Sequence, residues 1–463
     1  MTRIRYVFGL CAAALLIAAQ PAFAASPVPS MDHEHGSGEA GSSSLSSPAA
    51  ELRVMLDRLL AEHAFLTIEQ MRSGLTHAPD LAAAAKAVEA NSTDVAAAIG
   101  SIYGDAAIEP FGEIWRAHIG HLVDYAVAIG KDDPDAAEQA VDGLAVYRQR
   151  IAKFLTDANP GVDLGGITDA LDMHTAQLIA FIDAEHQGDH AGAYDIEREA
   201  YPHMFHVGDA LAKVIANRFP EEFSGVDVAY SAAGTLRVTL DRVLAEHAFL
   251  AAEVMRSGIA NDPSFEAGAA AVSGNSADLE GLIGAAYNDA AAASFRKLWD
   301  SHITAYVEYI QAARANNAAG KAAATDQVDQ YVAQIAGFLA GANPRFDAND
   351  LSAMFREHAR HLITQVDAFE AADYDKSYAI MREGYSHMFD AGEALATGIA
   401  GQMPDKFPSD VAAPATDAMA GHGMEALPLL LVVLTALAGA ATGAWALRPR
   451  SLRGRRWGSA RRD

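Results

Sequence analysis

Cysteine is almost missing from these 463 residues, and the single one, Cys11, lies within the first 24. That segment carries Arg3 and Arg5, an apolar stretch from Val7 to Ala19, and Ala22-Phe23-Ala24 in A-x-A form, the pattern of a secretory signal peptide. With residues 1–24 removed, the mature chain holds no cysteine. Disulfides, thiolate metal sites, iron-sulfur clusters and haem attached through CxxCH are thereby excluded. Alternating Val/Ile/Thr runs are equally scarce, which argues against a sheet and for an all-α protein. Basic residues are few as well: 34 Lys and Arg stand against 60 Asp and Glu. Setting aside two arginines in the leader, and seven arginines and one aspartate after Leu447, leaves 25 basic and 59 acidic residues, a net of -34. Such a surface repels nucleic acid and anionic lipid and attracts cations.

What the chain does have is a repeat. Shifted by 184 residues it falls onto itself: LRVMLDRLLAEHAFL from Leu52 matches LRVTLDRVLAEHAFL from Leu236, and AYPHMF around His203 matches GYSHMF around His387. The expected organisation is a signal peptide (1–24), a Ser/Gly/His-rich disordered linker (25–48), a helical bundle (49–223), a linker (224–234), a second bundle (235–407) and a stalk (408–425). An uncharged apolar run over 426–447 is long enough to span a bilayer. The Arg-rich tail 448–463 stays cytoplasmic by the positive-inside rule, which puts both repeats outside the cell membrane after export through the general pathway. Gly439 and Gly443 form a GxxxG that favours homodimerisation in the membrane.

Within the first repeat, periodicity and caps predict five long helices near 51–72, 107–129, 134–158, 167–185 and 191–218, with short ones at 80–89 and 93–103. Gly74 is the expected end signal of the first. The architecture implied is a four-helix bundle with an extra packing helix, two tandem antiparallel copies, and one C-terminal transmembrane helix.

Four histidines recur in both copies: His63 with His247, His118 with His302, His174 with His358, and His203 with His387. Each lies on an apolar seam of 3,4 spacing near the middle of its helix, so all four are expected to meet inside their bundle at one level. Neutral imidazoles each offer a lone pair, and a cluster of them suits copper, zinc or iron, with haem b as an alternative cofactor. Glu62 and Glu246, and Glu199 and Glu383, are candidate outer-sphere acceptors for the rings. His121, His206 and His361 pair with Ala305, Asp390 and Gln177, which argues against their being ligands common to both copies. Trp115, Tyr125, Tyr147, Phe154 and Phe205, each matched by an aromatic 184 residues on, read as core. Met31, His33 and His35, and Met419, His422 and Met424, resemble loose metal-collecting tracts.

The run AEHAFL, then WRAH, then HMF, closing with PEEF or PDKF, resembles a secreted helical domain of bacterial cell-surface proteins, some with copper-amine-oxidase-related names. The resemblance covers each repeat and implies no particular activity; the amine-oxidase motif T-x-x-N-Y-[DE] is missing. By architecture the chain is also similar to hemerythrin-like and ferritin-like bundles, but the E-x-x-H pairs of a di-iron site are lacking from the helix interiors. The function expected is binding, storage or sensing of metal cations in preference to catalysis. The alternatives are a cell-surface spacer or adhesion module with a buried histidine network, and a metal-assisted oxidase or hydrolase using Glu62 or Glu199 as acid/base.

Overall fold

The computed structural model describes residues 45–160 and 165–409, all of them in one compact unit. Thirteen α-helices fill the described residues, and no strand occurs among them. The first half contains α1 (Pro48–Thr76), α2 (Leu81–Tyr103), α3 (Ile108–Gly130), α4 (Pro134–Ala158), α5 (Gly165–His186) and α6 (His190–Arg218). A short α7 (Val226–Ala229) leads into α8 (Ala232–Ala260), α9 (Phe265–Ala286), α10 (Asp289–Arg314), α11 (Ala318–Ala342), α12 (Ala348–Glu370) and α13 (Tyr374–Gln402). The leader, the linker before residue 45, the stalk beyond residue 409, the span 426–447 and the tail 448–463 lie outside the described residues. Among the described residues no helix is long and apolar enough to cross a membrane.

Local chemistry sets these helices. Ser47 caps α1 by accepting from the Ala50 amide, with Pro48 in the first turn. Gly74 does not end α1. The helix runs on to Thr76 and is closed by His77 in the left-handed region at φ 52, as Asn261 closes α8 at φ 56. The two short helices expected at 80–89 and 93–103 form one helix, because Ser92 and Thr93 donate back to the Val88 and Glu89 carbonyls and cap nothing. Each half therefore has six long helices where five long and two short were expected.

In the first half α1 packs on α6, α2, α3 and α5, with α4 against α3; in the second α8 packs on α13, α9, α10 and α12, with α11 against α10. The halves share one apolar core, and three residues at its centre meet their own counterparts. Phe65 stacks on Phe249 with ring centroids 4.4 Å apart, Tyr201 Oη donates to Tyr385 Oη at 3.4 Å, and Phe205 lies parallel to Phe389 at 6.2 Å. Contacts between equivalent residues are the mark of an approximate two-fold axis, the geometry of an isologous dimer.

The ion pairs obey the same symmetry. Arg198 reaches Glu246 from the first half, and Arg382 reaches Glu62 from the second. Arg72 pairs with Glu253, and Arg256 with Glu69. Arg72 also meets Glu69, Glu185 and Glu197, but the counterparts of the last two are Phe369 and Met381, so the network is acid-rich on one side only. Burial is the main cause that raises the Glu197 carboxyl to about 7, against the pull of Arg72 and with help from Glu69 and Glu185.

Candidate metal centre

His63 on α1, His118 on α3 and His174 on α5 converge where these three helices pack, each at most 2% exposed. One ring nitrogen from each lies within 4.8 Å of the others. His63 Nε2 and His118 Nε2 are 3.1 Å apart. Two imidazole nitrogens bound at about 2.0 to 2.1 Å on a tetrahedral zinc ion stand about 3.3 Å from each other, so this spacing suits a shared cation. His63 Nδ1 is 3.3 Å from Thr67 Oγ1, one turn along α1, which fixes the ring plane and leaves Nε2 facing His118.

Both nitrogens of His174 are buried without a hydrogen bond, while His118 Nδ1 has only the Trp115 backbone, one turn earlier on α3, to turn to. Desolvation is the largest cause that drives all three rings toward the neutral form, with neighbouring imidazoles adding to it. His118 and His174 fall to about 3, and His63 lies well below its usual value. The rings thus keep their lone pairs at any ordinary pH.

Aromatic walls enclose the cluster. Trp115 lies 4.5 Å from His63, and Tyr147 stacks on His118 at 4.5 Å. Both were legible as core aromatics, and their spacing of three before His118 and their place on the next helix bring them to the site. Thr67 carries no signal in the repeat, since its counterpart is Ala251.

The second half brings the equivalent rings together on α8, α10 and α12 more loosely: among the described residues, only the first-half set has a nitrogen from each ring within 4.8 Å of the others. His302 Nε2 is 3.4 Å from His247 Nε2, and the His247 and His358 rings are 5.6 Å apart. Trp299 and Tyr331 take the places of Trp115 and Tyr147. His247 Nδ1 and both nitrogens of His358 have no protein partner, and His302 has the Trp299 backbone as His118 has that of Trp115. Burial again lowers these rings, His302 to about 3.

The expected set of four narrows to three. His203 and His387 are only partly buried and turn away: His203 Nε2 sits 2.7 Å from the Ala170 carbonyl, and His387 Nε2 3.0 Å from that of Met354. Each ring ties its helix, α6 or α13, to the neighbouring α5 or α12, and a ring that donates to a carbonyl is held off the cluster. The expected carboxylates are displaced too. Glu62 accepts from Asn91 and Arg382, and Glu246 from Asn275 and Arg198, so both face the opposite half. Consecutive helix positions point about 100° apart, which is why the residue before each histidine looks elsewhere. Glu199 and Glu383 are exposed. His361, set aside as unmatched, is the residue whose place the sequence left unread: three positions after His358, it packs 5.6 Å from His387 and is 6% exposed.

No family model matches the chain, and neither the curated proteins nor the solved structures contain a match to it.

Proposed function

We propose that this is a membrane-anchored, extracytoplasmic protein that binds a late first-row metal ion through three imidazoles in each half: His63, His118 and His174, and His247, His302 and His358. Binding, storage or sensing fits better than catalysis. One observation carries the reading: in the first half three buried, neutral imidazoles converge, and both nitrogens of His174, like both of its counterpart His358, are satisfied by no protein group. A purely structural histidine network requires the opposite, since a buried polar atom left without a partner costs about 1 to 3 kcal/mol. A coordinated ion removes that cost, and imidazole suits zinc, copper and iron. Three protein ligands leave a fourth position for water or another small ligand. The acidic surface favours the approach of cations.

A metal-assisted enzyme receives little support. Glu62 is held by Asn91 and Arg382, and Glu199 is exposed, so neither stands where it would serve as acid or base beside the rings. The anchor rests on the apolar run 426–447, and the outside placement of both halves on the arginines that follow it.

The test is metal content of the full chain, purified without an affinity tag and titrated with Zn(II), Cu(I), Cu(II), Fe(II) and haem. The expected stoichiometry is about two ions per chain, with His118→Gln and His302→Gln each losing about one. A stable protein that takes up none of these overturns the reading.

A further inference from the structure

The first-half centre is surrounded by neutral groups. Among the described residues the converging set is His63, His118 and His174 alone, and no carboxylate oxygen joins their nitrogens. Cys11, the one thiol in the chain, lies outside the described residues. The acids nearest in sequence are engaged elsewhere. Glu62 accepts from Asn91 and Arg382, and Asp172, two positions before His174, accepts from Arg148 at 3.2 Å.

The groups behind the rings are neutral as well. His63 Nδ1 has the Thr67 hydroxyl at 3.3 Å, His118 turns to the Trp115 backbone, and His174 has no protein partner on either nitrogen. A carboxylate behind a metal-bound imidazole makes the ring a stronger ligand and offsets part of the charge of the ion. None stands there. Aromatic rings complete the enclosure: Trp115 lies 4.5 Å from the His63 ring and 4.7 Å from His118, and Tyr147 stacks on His118.

Charge decides which ion such a site takes. The cost of moving an ion from water into a low-dielectric interior grows with the square of its charge, roughly fourfold from a monovalent to a divalent ion of one size. Attraction to the dipoles of neutral imidazoles grows only in proportion to charge. Buried divalent sites close that gap with anionic ligands or partners, which the three rings lack. A singly charged ion with a filled d shell needs no anion and is satisfied by two or three nitrogen ligands. Copper(I) is the late first-row ion of that kind.

Resting on the metal-binding reading above, we propose that the first-half centre selects its ion by charge, and that this ion is copper(I), held by His63, His118 and His174 in preference to zinc(II) or copper(II). The acidic exterior gathers cations of either charge, and the neutral interior sorts them.

The experiment uses the full chain carrying His302→Gln, which breaks the second-half set and leaves one centre to read. Copper(I), loaded without oxygen, is expected to stay bound against about a hundredfold excess of Zn(II). Cu(II), the same element at twice the charge, is expected to bind at least about tenfold more weakly than Cu(I), the reverse of its rank as the tightest-binding divalent ion. Adding His118→Gln abolishes uptake. Thr67→Asp puts a carboxylate behind His63 and is expected to narrow the preference for Cu(I) over Zn(II) at least about tenfold. Where far-UV circular dichroism shows that this variant does not fold, the three-ion series on the folded chain decides alone. Zn(II) that displaces Cu(I), Cu(II) bound as tightly as Cu(I), or a preference unchanged in folded Thr67→Asp overturns the proposal and leaves metal binding intact. Cu(I) uptake that survives His118→Gln places the ion elsewhere and overturns it too. A folded chain that takes up none of the three ions removes both readings.

Discussion

The two halves carry equivalent histidines on equivalent helices, but those of the first half converge more closely and the surroundings are finished differently. In the first, Thr67 holds the His63 ring, and Ile68 and Phe181 pack the space behind. In the second, Ala251, Ala252 and Gln365 stand at those positions and a cavity remains. Small changes in side-chain volume beside equivalent rings open or close the space behind them, because a packed interior has no spare volume to absorb them. The contrast also runs through the charged layer between the halves. Glu185 and Glu197 meet Arg72 on one side, while Phe369 and Met381 occupy the matching places on the other.

The largest effect is expected from separating the halves. Because Phe65 packs on Phe249, Tyr201 on Tyr385 and Glu62 on Arg382, a lone half exposes a large apolar and charged face. Light scattering on residues 45–224 and 231–409 expressed singly is expected to show dimers or aggregates, with each half re-forming the two-fold contact against a second copy. A stable, folded monomer of either half contradicts the shared core.

A smaller effect tests the one-sided charge. Burial raises the Glu197 carboxyl from its ordinary 4.5 to about 7, so the folded state binds its proton more tightly than the unfolded state does. The stability this provides is complete below pH 4.5 and is lost as pH rises through about 7. Glu197→Met, which copies Met381, is expected to flatten that part of the denaturation-versus-pH curve and to gain about 1 to 3 kcal/mol above pH 7. An unchanged pH profile shows that Glu197 titrates as an ordinary carboxylate.

Smaller still is Thr67→Ala, which gives the first half the second half's residue. Loss of the hydroxyl beside His63 is expected to cost about 0.5 to 1.5 kcal/mol in chemical denaturation. Zinc release from the first-half centre should quicken at the same time. A stability loss with no change in release assigns Thr67 to packing alone.

Much of this was open to reading in the chain itself. The helical class follows from the 3,4 spacing, and His63, His118 and His174 could be picked out because their copies recur at 247, 302 and 358. The fourth pair could not be judged the same way. His203 and His387 share the spacing of the others, but whether a seam histidine turns to a neighbouring ring or to the carbonyl of Ala170 or Met354 depends on helix rotation that periodicity does not fix. Glu62 finds Arg382 across the two-fold axis, and no local pattern announces a partner 320 positions away. The continuity of α2 was hidden because Ser92 and Thr93 are cap residues by type and backbone-bonded helix residues by geometry. His361 has no copy and so carries no signal in the repeat, although an unmatched residue is where two copies acquire different properties.

On the proposed function three imidazoles, and not four, are expected to hold each ion. X-ray absorption at the metal edge of the loaded full chain counts them directly. About three imidazole ligands per ion with metal–nitrogen distances near 2.0 to 2.1 Å, and the same spectrum in the His203→Gln, His387→Gln double variant, are the predicted results for zinc. A first shell of oxygen without the multiple scattering of imidazole rings, or a ligand count that drops when His203 and His387 are replaced, contradicts binding by three imidazoles.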